Sequence, residues 1–370
     1  MSSIFGNNLK ISVFGQSHSK AIGCVIDGLP AGISISLSRL YSFMARRAPG
    51  NSAYSTPRKE SDTPQILSGV LPCPEDEDIV ITCGAPLCIM IANSDTRSSD
   101  YSSFLDTPRP GHADYTASVA YGAFQDHRGG GHFSGRLTAP LCAAGGICLQ
   151  YLELKGIRIG AHISSVGDIE DERFDPVNVT AKELDRLHEN AFPVIDRAKG
   201  EQMQALIALC KAEGDSIGGC VECVAIGIPV GLGAPMCDGV ENRLAKSLFA
   251  IPAVKGVEFG AGFDLCKQRG SSANDPYCVK DGNVRTLTNN CGGILGGITN
   301  GMPVYFRCAI KPTPTVMKEQ SSVSLSAMEE KAVSGAGRHD PCILPRAVPV
   351  VEAVCAITLT DMLFDHPMHI

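Results

Sequence analysis

Histidine, arginine and glycine cluster along this chain in patterns suited to moving protons beside an anion. Phe14-Gly-Gln-Ser-His18 puts a serine and an imidazole on a glycine turn after an N-terminal strand candidate. Imidazole is the side chain whose charge changes near neutral pH, although a lone histidine in a turn is more often structural or solvated. Arg46-Arg47-Ala-Pro-Gly50, followed by Arg58-Lys59-Glu60 and Asp62, carries guanidinium groups from a helix end into a loop. Guanidinium binds phosphate or carboxylate with two parallel hydrogen bonds. Taken alone, the commoner reading is positive charge complementing a helix C-terminus.

The densest cluster runs Asp95-Thr-Arg97, Arg109-Pro-Gly-His112-Ala-Asp114-Tyr115, then Arg128-Gly-Gly-Gly131-His132-Phe133-Ser134-Gly135-Arg136. Three consecutive glycines make poor regular structure but allow backbone to approach a flat or anionic ligand closely. No Gly-Lys-Ser/Thr follows, so this is not a nucleotide P-loop. Nor does it have the Gly-x-Gly-x-x-Gly spacing of a dinucleotide fold. A fourth cluster comprises Asn289-Asn-Cys-Gly292-Gly-Ile-Leu-Gly296-Gly297, Lys311-Pro-Thr313-Pro-Thr315 and Gly337-Arg338-His339-Asp340-Pro341 with Arg346. These supply phosphate donors together with an acid or base. Any one could be a turn; it is their accumulation that points to a site.

Short Val-, Ile- and Cys-rich runs predict strands over Ile79 to Cys83, Leu87 to Ala92, Cys220 to Ile228 and Val304 to Ile310. Helical spacing of apolar residues predicts helices over Ser36 to Arg47, Ala181 to Ala191, Lys199 to Ala212 and Val240 to Phe249. The run Ile22 to Ile33 is echoed by Ile217 to Leu232, each a strand, a Gly-x-Pro-x-Gly turn and a helical pattern. That echo predicts an internal duplication with equivalent loops on one face of a sandwich of helices and sheets. The segment from Ile157 to Arg197 is polar and acidic and reads as an insertion or edge lobe. With no low-complexity linker, residues 1–370 are expected to form one α/β domain of the α+β type.

Charge and cysteine content narrow the function. A net charge of −7 argues against a general nucleic-acid binder, so any phosphate is expected to be bound locally. The 16 cysteines are scattered through a long chain with no signal-peptide pattern at its start, which favours the cytoplasm and buried thiols over disulfides, metal or redox chemistry. No run reaches about 18 uninterrupted apolar residues, so no membrane span is expected.

In order, these clusters resemble the chorismate synthase family from about Phe14 to Leu363, through RPGHADYT, RGGGHFSGR, DSIGG, IPAVKGVEFG, GGILGGITNG, KPTPT and GRHDP. The resemblance implies a single-domain β-α-β sandwich that assembles as a homotetramer. It implies 1,4-elimination of phosphate from 5-enolpyruvylshikimate 3-phosphate to give chorismate, the last common step of the shikimate route, with reduced FMN and no net redox change. By motif match, His18 protonates the departing phosphate, His112 stands beside the flavin, and Asp340 relays the substrate proton near the flavin ring. Ser17, Arg47, Arg109, Arg136 and Arg346 would hold the substrate. His132, Phe133, Ser134, Pro252, Ala253, Gly296, Lys311, Pro312, Thr313, Pro314, Thr315 and Arg338 would hold the flavin, with KPTPT taking its phosphate and ribityl chain.

The chain departs from many relatives at Gln16, where they carry Glu, at His132-Phe133, where they carry Arg-Ser, and at Ala53, where they carry Arg. No extra nicotinamide-binding domain is evident, so an external flavin reductase is the expected electron source rather than NAD(P)H bound by this chain. Two other classes stay open on the residues alone: an ordinary flavin oxidoreductase acting on a small anion, and a non-catalytic binding protein on the same fold.

Overall fold

The computed structural model describes residues 3–50, 62–94, 104–335 and 340–365 of the chain. Two five-stranded sheets, antiparallel throughout, enclose a layer of helices. The first runs in the order Ile4–Phe5, Lys10–Gly15, Ala21–Asp27, Leu87–Ala92 and Gln65–Ser68. The second runs Ile169–Glu170, Arg158–Val166, Gly219–Ile226, Val304–Ile310 and Val254–Phe259. Side chains alternate across a strand. In the first sheet Ile11, Ile22, Cys24, Ile26, Leu87, Ile89 and Ile91 accordingly turn one apolar face inward.

The helices are α1 (Leu37–Arg47), α2 (Asp114–Ala120), α3 (Thr138–Leu154), α4 (Ala181–His188), α5 (Arg197–Ala212), α6 (Val240–Leu248), the single turn α7 (Gly270–Ala273) and α8 (Leu344–Asp365). Ser36 caps α1, its hydroxyl accepting from the Arg39 amide at 3.2 Å. At the centre α3 lies on the first sheet and α8 on the second, and the two helices pack on each other. Both are long and apolar enough to cross a membrane. However, 78% of the apolar window in α3 and its lead-in and 89% of that in α8 are buried inside the sandwich, which accounts for their composition.

The contact between the helices depends on Gly145, where an added Cβ would fall 2.3 Å from the Ala353 Cβ and 2.4 Å from its Cα. Gly145→Ala therefore has to push two core helices apart. Denaturant unfolding should show a loss of about 3 kcal/mol, the upper part of the usual overpacking range.

The internal echo is reproduced in three dimensions. Gly28 (φ 96°) and Gly227 (φ 78°) directly follow the central strand of their sheet, Ala21–Asp27 and Gly219–Ile226, against the carbonyls of Asn8 and Gly156 respectively. In the first half the Thr82 hydroxyl donates to Pro30 O at 2.6 Å and accepts from the Ile33 amide at 2.9 Å. In the second half the Thr299 hydroxyl donates to Pro229 O at 2.6 Å and accepts from the Leu232 amide at 2.9 Å. Helices α1 and α6 follow these turns, and α3 and α8 are the matching central helices. The duplicated unit is therefore a strand pair, a threonine-pinned turn, a short helix and a long buried helix.

One expectation needs correction. The segment from Ile157 to Arg197 is not wholly peripheral, because Arg158–Val166 is a core strand with Ile159, Ala161 and Ile163 buried. Its polar residues are absorbed by partners: His162, fully buried, bonds Asp171 and Glu222, each at 2.9 Å. Residues 168–196 then cover the outer face of the second sheet. All 16 cysteines are free, and seven of them, Cys24, Cys142, Cys148, Cys223, Cys308, Cys342 and Cys355, are buried. Burial pushes the Cys142 and Cys148 thiols up to about 12, so these behave as small apolar side chains.

Candidate active site

A cavity of about 570 Å³ opens where the start of α3, the start of α8 and the end of α1 meet the loops around residues 111–113, 129–136, 249–255 and 311–315. The duplication brings equivalent parts to it. Pro49 follows α1 and Pro252 follows α6, each succeeded by a left-handed residue, Gly50 at φ 85° and Ala253 at φ 76°. Arg136 just before α3 and Arg346 within the first turn of α8 also stand on the wall.

The triple-glycine loop reaches the cavity through Gly129; its glycines stand at φ 60° (Gly129), φ 84° (Gly130) and φ 54°, ψ −127° (Gly131). An added Cβ on Gly129 would lie 2.6 Å from His18 Nε2 and 2.6 Å from Ser17 Oγ. On Gly130 it would lie 3.0 Å from His112 Nε2. The two imidazoles thus press against neighbouring residues of one loop, and only glycine admits both. The Ser17 amide donates to Gly131 O at 3.0 Å, tying the Gln16-Ser17-His18 turn to the loop. Ser17 and His18 are buried against Gly129 rather than forming the wall themselves.

Carboxylates hold the arginines. Asp62, whose side chain is fully buried, ion-pairs with both Arg47 and Arg136. Burial alone would raise its carboxyl, but the two guanidiniums hold it below the usual range. Arg47 also donates to Gly135 O at 3.0 Å and Thr138 Oγ1 at 3.1 Å, and Arg136 to Asn93 Oδ1 at 3.0 Å. Arg346 donates to Asp340 at 2.5 Å and to Arg47 O at 3.0 Å, linking both halves of the duplication. Arg109 makes a two-point pair with Asp114 at 2.8 and 2.8 Å and reaches Thr315 Oγ1 at 3.3 Å. Behind this layer Arg46 pairs with the fully buried Glu352, whose carboxyl is held down at about 2 against its burial by Arg46 and His188.

The opposite wall carries Pro252, Ala253, Lys255, Lys311, Thr313, Pro314 and Thr315. Burial, together with the charge of Lys255, lowers the Lys311 ammonium below its ordinary value. No carboxylate of the described residues pairs with either lysine. The Thr313 hydroxyl is shut off from solvent and has no hydrogen-bond partner among the described residues. Two convergent cations beside an orphan hydroxyl fit a phosphoryl group.

Of the sequence-derived residues, the cavity wall gathers Arg47, Arg109, His112, His132, Phe133, Ser134, Arg136, Pro252, Ala253, Lys311, Thr313, Pro314, Thr315, Asp340 and Arg346. Pro312 links two of them without forming the wall. His132 is on the wall, yet both ring nitrogens are engaged inside the protein, Nδ1 with Gly15 O and Nε2 with Ser3 Oγ, each at 2.7 Å. Gly296 is not brought to this cavity: it turns between Ile294–Leu295 and Ile298–Thr299 at φ 63°, with open space where a Cβ would be. Arg338, with His339, and the positions Ala53, Arg58, Lys59, Glu60, Asp95 and Arg97 lie outside the described residues. Asp62, Asp114 and Lys255 carried no assigned role in the sequence reading. The clue for the first two was closeness in sequence, Asp62 to Arg46, Arg47 and Arg58, and Asp114 to Arg109 and His112.

Comparison with known proteins agrees along the whole chain. The family model described as chorismate synthase matches residues 9–364. The chorismate synthase of Lancefieldella parvula is 43% identical, over 99% of this chain and 97% of its own length. That of Pyrococcus abyssi is 46% identical, over 97% and 96%. A crystal structure of chorismate synthase superposes with a TM-score of 0.74 at 28% identity, covering 98% of this chain and 93% of the other. Matched over its length by the family model and by these relatives, the chain belongs to the chorismate synthase family of lyases.

Proposed function

We propose that the chain converts 5-enolpyruvylshikimate 3-phosphate to chorismate and inorganic phosphate, with reduced FMN held in the same cavity and returned in its starting redox state. The observation that carries this reading is a cavity whose wall has more arginines and lysines than carboxylates, beside a glycine loop met by two imidazoles, His112 on the wall and His18 buried against Gly129. In the overall 1,4-elimination the C–O bond to phosphate breaks and a ring C–H gives up its proton; the C=C between the two centres shifts toward the carbon that loses phosphate, and a second C=C forms beside the carbon that loses the proton, leaving a conjugated diene. The substrate is a polyanion, so its binding needs fixed cations. Arg47, Arg109, Arg136 and Arg346 supply them, held in place by Asp62, Asp114 and Asp340.

His18, buried beside Ser17, donates a proton to the departing phosphate. A neutral-range imidazole is an efficient acid for that step. Asp340, held by Arg346, accepts the ring proton. His112 holds a proton on the flavin side. Lys311, Lys255 and the orphan Thr313 hydroxyl bind the FMN phosphate, while Pro252 and Ala253 shape the wall against its ring. Bound reduced FMN supplies an electron-rich ring that assists phosphate loss. A cytoplasmic homotetramer supplied by an external flavin reductase completes this reading.

The test is anaerobic incubation with reduced FMN and 5-enolpyruvylshikimate 3-phosphate. Release of phosphate with no net flavin oxidation is expected. Flavin oxidised in step with substrate consumption would instead identify an oxidoreductase, and no turnover at all would identify a binding protein.

A further inference from the structure

Asp114 reaches back from the first residue of α2 to two groups on the cavity wall. Its Oδ1 accepts from His112 Nδ1 at 2.6 Å and from Arg109 Nη2 at 2.8 Å. Its Oδ2 accepts from Arg109 Nε at 2.8 Å and from the Arg109 amide at 3.0 Å. The carboxylate is therefore saturated by donors from a single tight turn and is largely shielded from water, with 8% of its side chain exposed.

Two partners compete for His112 Nδ1. Arg109 Nη2 lies 3.1 Å away and could donate to it, whereas the Asp114 oxygen at 2.6 Å can only accept from it. The shorter, charge-assisted bond decides the matter. Nδ1 carries the proton, and Nε2, which meets Gly130 and has Arg109 Nη2 3.4 Å away, is left as the acceptor nitrogen. Burial by itself would raise the Asp114 carboxyl, but the bonds from Arg109 and His112 hold it well below the usual carboxylate range, so it stays an acceptor.

We propose that Asp114 is a positioning residue that fixes His112 in its Nδ1–H tautomer, with Nε2 turned to the glycine loop, and at the same time fixes the Arg109 guanidinium. The proposal rests on His112 and Arg109 serving the chemistry described above. Its structural half, however, is measurable without turnover. A carboxylate that orients an imidazole through Nδ1 sets which nitrogen is available for proton transfer, as in hydrolase triads. Here that carboxylate also orients a cation for the substrate.

The experiment is nitrogen NMR of the imidazoles in ligand-free protein, with the His112 signals assigned by His112→Gln, followed by steady-state turnover. Wild-type His112 is expected to show a protonated Nδ1 and a bare Nε2. In Asp114→Asn and Asp114→Ala that signature should give way to the Nε2–H form or a mixture. Phosphate release, measured as kcat/KM, should fall about a hundredfold, the cost of misplacing a catalytic group by about 1 Å. Asp114→Asn is isosteric and keeps the test open if Asp114→Ala fails to fold. A wild-type tautomer pattern retained in a folded Asp114→Asn chain would overturn the proposal. Wild-type protein that releases no phosphate would sink the functional reading instead, with the tautomer spectra still deciding the role of Asp114.

Discussion

Gly129→Ala is expected to leave a folded protein that releases phosphate at least about a hundredfold more slowly. The new methyl group would fall 2.6 Å from His18 Nε2, His18 Cδ2 and Ser17 Oγ, all of them buried. The turn that carries them is tied to Gly131 O, so relief must come from moving the imidazole itself. A shift of about 1 Å in a catalytic group is enough for a hundredfold loss. Alanine in the left-handed region costs only about 1–2 kcal/mol, so the fold should survive with a modest drop in melting temperature. Gly131→Ala makes the contrast: at φ 54°, ψ −127° its Cβ would meet the Asp126 carbonyl at 2.0 Å, and stability as well as turnover should fall. Equal turnover in Gly129→Ala and wild type would mean that His18 is not part of the chemistry.

His18→Ala and His112→Ala should each cut turnover by about 10²- to 10⁴-fold, the usual contribution of a positioned acid or base. Neither should unfold the chain. His18 and His112 sit in loops, and with His112 gone Asp114 still has its two-point bond to Arg109. A loss of kcat with melting temperature and FMN affinity nearly unchanged is the expected pattern. If either variant kept near-normal turnover at saturating flavin, its proton role would be wrong.

Much of this architecture is legible in residue order. Leu87–Ala92 and Val304–Ile310 are strands with the bounds their apolar runs suggest, and α1 lies within its expected span, ending at Arg47. The Gly-x-Pro-x-Gly echo foretold the duplication because a left-handed glycine leaves a direct mark on sequence. Helices α3 and α8 left no comparable mark: buried on nearly every side, they have no polar face and hence no 3.6-residue period to detect. The strand Arg158–Val166 was disguised by His162, whose polarity is met by Asp171 and Glu222, contacts that exist only once the fold has formed.

The site divides along similar lines. Residue types suited to anions and protons were visible as clusters, and most of those clusters converge on one cavity. What sequence could not give is the pairing. Asp62 shared by Arg47 and Arg136, Asp114 shared by Arg109 and His112, and the use of both His132 nitrogens on Gly15 and Ser3 all depend on packing between distant segments. Glycine doublets also mislead. Gly292, Gly293 and Gly297 are required where backbone meets backbone, at Gly260, Pro303 and Ala234, away from the cavity.

The most direct test of the whole account is a crystal structure of the chain with FMN and 5-enolpyruvylshikimate 3-phosphate bound together. The account predicts both ligands in the one cavity over the glycine loop, with the substrate's anionic groups on the arginines and the flavin phosphate near Lys311 and Thr313. Either ligand bound outside that cavity, or an arrangement in which His18 and His112 face neither of them, would contradict it.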